Sequence, residues 1–120
     1  LAVDRQKSVP FLLRIFFNFE IHNPLSEYNQ IDRLPENELQ VYTWRDATLH
    51  ELAQLIKEVL PEAREPGVSM QFNLIYPDAL RGRYSVTTLS SVHNDRTGPG
   101  DNRTLADCRL VIGDFIDVSI

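Results

Sequence analysis

One segment, TLHELAQLIKEVL at residues 48–60, carries a sustained helical period, and the rest of the chain offers it only strands and loops to pack against. Leu49, Leu52, Ile56 and Val59 fall on one face, with Leu55 and Leu60 widening the stripe, so the segment must bury that face against another layer. Its start is written as a capping box: Thr48 can accept the Glu51 amide while the Glu51 side chain reaches back, and Ala47 can meet Leu52 as a weak staple. Pro61 ends the helix, and Glu65-Pro66-Gly67 marks a further break. With one long helix in 120 residues there is no second helical layer, so the covering layer is a sheet.

The strands of that sheet are read from a period of two. Phe11 to Phe17 (FLLRIFF) has the length and aromatic content of a first strand, with Pro10 at its entry, where no ladder hydrogen bond is required. Residues 18–37 mix Asn, Pro and charge without a period and read as a long loop with one helical turn near Ser26 to Gln30. Glu38 to Trp44 alternates Leu39, Val41 and Thr43 against Gln40, Tyr42 and Trp44. Beyond the helix, Ser69 to Tyr76 alternates Met70, Phe72, Leu74 and Tyr76 against Gln71, Asn73 and Ile75, and Pro77 closes it. Arg83 to Leu89 supplies a fourth strand, Ser91 to Arg103 a flexible surface loop rich in Gly, Asn and Asp, and Thr104 to Leu110 a short helical turn. The Gly113-Asp114 turn leads into a last strand with Ile116, Val118 and Ile120 on one face. This order predicts an α+β fold of the ubiquitin-like β-grasp type over a single domain, residues 1–120: a mixed sheet, one main helix and enlarged loops. A ferredoxin-like arrangement would need a second long helix.

Hydrophobic residues at 42% and charged residues at 24% are the balance of a folding chain, not of a disordered one. A net charge of −5 disfavours a phosphate-tracking surface, so nucleic acid is expected to be met only indirectly. No apolar run approaches the roughly twenty residues that cross a bilayer, which predicts no membrane partner. Cys108, the single cysteine, cannot form an internal disulfide and points to a reducing compartment. The chain opens on Leu1 and stops on an apolar strand residue, Ile120, and segments beyond both ends are expected.

Catalytic chemistry is hard to assemble from these residues. His22 and His93 fall in loops, His50 on the helix and Cys108 in a turn, with neither metal-ligand spacing nor a paired nucleophile and base. Each histidine reads as a solvated surface residue and Cys108 as a small buried apolar one. Asp114 suits its turn, and Asp117 is expected to point away from the core into solvent. GPGDNRT lacks the Lys-Ser/Thr ending of a phosphate loop. No enzyme activity, metal, cofactor or small-molecule substrate is expected. A hydrolase or isomerase using His50 or Cys108, and direct RNA binding through Arg14, Arg81, Arg83 and Arg103, are the competing readings.

The second face of the sheet is more informative. If the helix covers Phe11, Leu13, Ile15, Phe17, Leu39, Val41, Ile116 and Val118, alternation turns Leu12, Arg14, Phe16, Gln40, Tyr42, Trp44 and Phe115 outward. Two outcomes follow: the large apolar groups are left for a partner, or the loop of residues 18–37 folds back over them.

Three segments, DRQKSVPFLLRIF, ELQVYTWRDATLHELAQLIKEVLPEAR and TLADCRLVIGDFIDVSI, taken in this order and spacing, resemble the small Sin-three-associated polypeptide family, the eighteen-kilodalton subunit of a histone-deacetylase corepressor. Departures are Val9 where the family usually has Cys, a single His22 in place of a His pair, and a poorly matched loop from Val92 to Arg103. The resemblance implies a ubiquitin-like fold, no catalysis, a nuclear location and adaptor work in transcription repression and mRNA splicing. The partners it implies are the Sin-three deacetylase complex, Acinus or Pinin, and the serine-rich-domain RNA-binding protein of the exon-junction-associated apoptosis-and-splicing complex. The strand from Leu39 to Trp44 is expected at a sheet edge, where a partner peptide adds main-chain hydrogen bonds and seats side chains between strand and helix. The candidate contact residues are Leu39, Gln40, Val41, Tyr42, Thr43, Trp44, Arg45 and His50, with Phe16 and Phe115 on the second face. Trp44 either locks the corner between strand and helix or anchors the ligand.

Overall fold

In the computed structural model, which describes residues 3–30 and 32–120, the first strand β1 (Phe11–Asn18) runs parallel to the last, β5 (Phe115–Ser119), at the centre of the sheet. Leu1, part of the expectation about the chain ends, and Ile31, inside the long loop, lie outside the described residues. β1 also pairs antiparallel with β2 (Glu38–Thr43), and β5 pairs antiparallel with β3 (Ser69–Asp78), which pairs in turn with β4 (Arg83–His93). The order β2-β1-β5-β3-β4 is that of the predicted β-grasp, a five-stranded mixed sheet with β2 and β4 at its edges. Short helix α1 (Leu25–Tyr28) lies in the long loop, and α2 (Leu49–Val59) follows β2.

The α2 side of the sheet is closed by apolar packing. Leu49, Leu52, Ala53 and Ile56 are buried against Leu13, Ile15, Phe72, Ile116 and Val118, as the helical period requires. Thr48 caps α2, its hydroxyl accepting the Glu51 amide at 3.1 Å, but the Glu51 carboxylate does not complete the box. It binds Arg5 instead, at 3.0 Å from both Nη1 and Nη2. Val59, read as a core residue, is 58% exposed, because it is the last residue of the helix and Leu60 turns inward in its place.

Two loops differ from expectation. Ser91 to Arg103 is not free at the surface: the carbonyls of Asp101 and Arg103 accept the His50 and Leu49 amides and so satisfy the first turn of α2, and buried Gly100 lies against Ser90. The Gly98 amide donates to the Asp101 carboxylate at 3.2 Å, so this backbone donor is taken by the chain's own acid. Thr104 to Leu110 makes turns instead of a helix, with Cys108 buried as expected and its thiol pushed up by burial.

The second face holds the larger correction. Phe16 and Phe115 do point away from α2, yet both are buried, in a cluster with Tyr28 and Ile75 against which Leu25, Leu34 and Tyr84 pack. The cover is the described part of the long loop folded back through Leu25, Tyr28 and Leu34, with Tyr28 edge-on to Phe16 at 5.4 Å and stacked on Phe115 at 5.9 Å. Arg14 closes the side of this cluster. Its guanidinium lies 5.2 Å from the Phe16 ring and 5.5 Å from the Phe115 ring, and it is bound by Glu38, whose carboxyl it holds below the usual carboxylate range.

Asp117 holds that cover down. Far from solvent, it receives the His22 Nδ1–H at 2.6 Å, the Asn23 Nδ2–H at 2.9 Å, the Asn23 amide at 3.4 Å and the Tyr28 hydroxyl. Four donors from the loop offset the desolvation of one carboxylate. His22, expected in solvent, is half-buried in the same network. Its Nε2 meets Gln71 Oε1 at 2.7 Å, and the Gln71 amide is oriented by donating its own Nε2–H to the Leu89 carbonyl at 3.3 Å. Both ring nitrogens of His22 therefore face acceptors, which fits the imidazolium form, and the Asp117 hydrogen bond is the main cause of its raised pKa.

Candidate functional site at the open edge of β2

Which backbone groups of β2 face the open side follows from one hydrogen bond. The Phe17 amide donates to the Asn37 carbonyl at 3.0 Å, and in the alternation of an antiparallel ladder Leu39, Val41 and Thr43 then direct their backbone groups at β1. The Ile120 amide, which donates to Asn18 at 2.9 Å on the other side of β1, fits the same parity. Glu38, Gln40 and Tyr42 therefore turn their N–H and C=O groups outward. These outward groups have no backbone partner among the described residues.

Beside this edge lies an apolar groove of about 110 Å³, floored by Ile15 and Ile56 and walled by Leu39, Val41, Leu55 and Val59. Gln40 and Glu58 supply its polar rim. Such a groove between an edge strand and a helix takes alternate side chains of an added strand, while the strand's backbone pairs with the edge. On the other side of β2, Tyr42 is 69% exposed and opposes Leu12, at 39% exposed, across the β1–β2 ladder. These two and the partly exposed Trp44 remain of the outward apolar set once Phe16 and Phe115 are sealed.

The sequence-based contact set thus divides. Leu39, Gln40 and Val41 come together at the groove, and Tyr42 stands at the same edge on the opposite face. Thr43 is buried and faces the core. Phe16 and Phe115 offer no surface to a partner, since the chain's own loop covers them. Arg45 and His50 are exposed but do not line the groove, which is formed by the later turns of α2; His50 lies 3.9 Å from the Asp101 carboxylate. Leu55, Glu58 and Val59 were not picked out as contacts. The signal for Leu55 and Val59 is the excess width of the apolar stripe near the end of α2, more than one sheet face needs; Glu58 has none.

Trp44 is tied into the corner between β2 and α2 and stays partly exposed. Its indole N–H donates to the Ser8 carbonyl at 2.9 Å, and the Arg5 guanidinium lies 4.8 Å above its ring. Arg5 in turn donates to Asp46 at 2.8 and 3.0 Å and to Glu51, and these two carboxylates hold its pKa raised. Arg5 and Ser8 are thereby fastened to the β2–α2 junction, and among the described residues none before β1 pairs its backbone with the edge from Glu38 to Tyr42.

The four arginines of the RNA reading are dispersed in role. Arg14 is held by Glu38 and Arg103 reaches Ser90, while Arg81 sits on the turn between β3 and β4 and Arg83 opens β4.

Comparison with known proteins bears on the same chain from outside. Residues 2–120 match the family described as Sin3 associated polypeptide p18 (SAP18). The chain is 41% identical over 118 residues to a Drosophila melanogaster protein named Histone deacetylase complex subunit SAP18, covering 98% of this chain and 78% of that one. It is likewise 41% identical over 119 residues to the protein of that name in Homo sapiens, covering 98% and 77%. For the Arabidopsis thaliana protein the identity is 38% over 120 residues, covering 98% and 78%. With a match over nearly its whole length and relatives in an insect, a mammal and a plant, this chain belongs to the SAP18 family.

Proposed function

We propose that this protein is a non-enzymatic nuclear adaptor, a subunit of a histone deacetylase corepressor complex that holds an extended segment of a partner along β2. Relatives named as histone deacetylase complex subunits support the complex, and the open edge with its apolar groove supports the mode of binding. The same surface serves the apoptosis-and-splicing assembly, with Acinus or Pinin supplying the extended segment and the serine-rich-domain RNA-binding protein joining through it. The Sin-three complex and RNA are then reached through protein contacts, not through this domain's own arginines.

The observation that carries the reading is the outward aim of the Gln40 and Tyr42 backbone groups beside the groove. It has a direct test, because proline at an outward position removes no ladder hydrogen bond from the fold and removes one from the added strand. Gln40→Pro should melt close to the parent and lose most of its affinity for an Acinus fragment in a titration. Unchanged affinity with the fold intact would rule out strand addition at this edge.

A further inference from the structure

The opposite edge of the sheet carries a second candidate, about 19 Å away across four strand spacings. A pocket of about 440 Å³ opens between α1 and the β3–β4 hairpin, with Tyr28, Tyr84, Pro77 and Ala79 among its walls and Arg83 at its side. Leu80, at the hairpin tip beside it, is 100% exposed, so a large aliphatic side chain stands there with no cover from its own chain. The hairpin turn is bonded to itself: the Asp78 carboxylate accepts the Leu80 amide at 3.0 Å, the Arg81 amide at 3.4 Å and the Ser85 hydroxyl at 3.3 Å, and lies 3.6 Å from the Arg81 guanidinium. Asp78 is spent on these partners, whereas Arg83 is exposed and has no acidic partner among the described residues. In a chain of net charge −5 this rim is a local cation.

The backbone beside the pocket says what shape of ligand fits. The Asn29 side chain takes both backbone groups of Tyr84, accepting its amide at 2.7 Å and donating to its carbonyl at 3.5 Å, so the backbone of Tyr84 points away from β3. By alternation Val86 and Thr88 point the same way, and neither has a backbone partner on that side among the described residues. Farther along, the strand is irregular where Leu89 and Ser90 oppose Phe72 alone, and the loop at Gly100 closes over Ser90. The open stretch is short and ends at the pocket.

We propose that this pocket is a second docking site, for a short extended peptide that pairs with Val86 to Thr88, seats an apolar side chain against Tyr84 and Pro77, and sets an Asp or Glu on Arg83. A protein segment is favoured over RNA because a lone unpaired arginine beside a carboxylate gives little purchase on a phosphate chain, while bare Leu80 calls for apolar cover.

The test is selection of a phage-displayed library of random dodecapeptides on the whole chain, with the selected peptides then titrated against variants. Peptides carrying an acid within two or three positions of Leu, Pro or an aromatic residue should emerge, bind about tenfold more weakly to Arg83→Glu, and bind Gln40→Pro undiminished. Arg83→Gln serves should the charge reversal disturb folding, with a smaller loss expected. The proposal is overturned by no enrichment, by peptides sensitive only to Gln40→Pro, or by a single-stranded oligouridine probe that binds through Arg83 when no peptide does.

Discussion

The two faces of the sheet are closed by opposite means. On one, α2 presses Leu49, Leu52 and Ile56 onto the strands, and the packing is apolar apart from the buried Thr43 hydroxyl. On the other, a polar loop without helical or strand period is drawn down over Phe16 and Phe115 by donors that converge on buried Asp117. A periodic element is held by area, which tolerates the loss of single contacts. A loop is held by a few directed bonds around one charge, so its attachment depends on few residues. Neither device covers the edge of β2 with its groove and the Tyr42–Leu12 pair, nor the edge of β4 with the pocket beside Leu80.

Removing the anchor is the severest way to break this comparison. Asp117→Ala leaves His22 and Tyr28 without their acceptor in a buried site and should cost about 3–5 kcal/mol in denaturant unfolding. It should also make residues 18–37 the first site of proteolysis, while helical circular dichroism persists below the transition. On the other face, Ile56→Ala should cost about 2–5 kcal/mol, and α2 and the sheet should be lost together without early cleavage of the loop. Tyr28→Phe keeps the ring and deletes its bond to the carboxylate, for about 1.5–3 kcal/mol.

A smaller effect sharpens the comparison through pH. His22 has a folded pKa raised above its unfolded value, so its stabilisation is fully present below the ordinary imidazole range and is lost as pH rises through the folded value. His22→Gln should therefore cost most in mildly acidic solution and progressively less in alkaline solution, when unfolding is followed at both. The opposite trend would mean that the imidazole is held neutral. Least of all should stability respond to Tyr42→Ala, within about 0.5 kcal/mol. The same change should weaken capture of an Acinus fragment by about 1–2 kcal/mol if the exposed ring is a contact.

The helix face could be read from the sequence because its information is periodic: the spacing of Leu49, Leu52 and Ile56, closed by Pro61, needs no knowledge of the rest. The α+β β-grasp class followed from having one long helix for the sheet to cover, and the expected edge position of β2 followed from that class; the order of the other strands did not. The loop face was less legible, since its information is a coincidence in space between Asp117 and His22, ninety-five residues apart. Alternation correctly turned Asp117 away from α2; what it could not supply was that the far side is also dry. The hint was the aromatic load of that face, Phe16 and Phe115, together with Tyr28 in an otherwise polar loop. Pro77 misled in a smaller way by suggesting a strand end. β3 runs through it because its partner Tyr84 directs its backbone at Asn29, so the missing N–H is not needed there.

The claim that a partner strand lies along β2 is tested most directly by amide hydrogen exchange at Gln40 and Tyr42, measured in the free protein and in its complex with an Acinus fragment. Both amides should exchange quickly when free and slow at least about tenfold in the complex, as ladder hydrogen bonds require. Unchanged exchange at these two amides, with protection appearing at Val86 and Thr88 instead, would place the partner on the other edge and contradict the account.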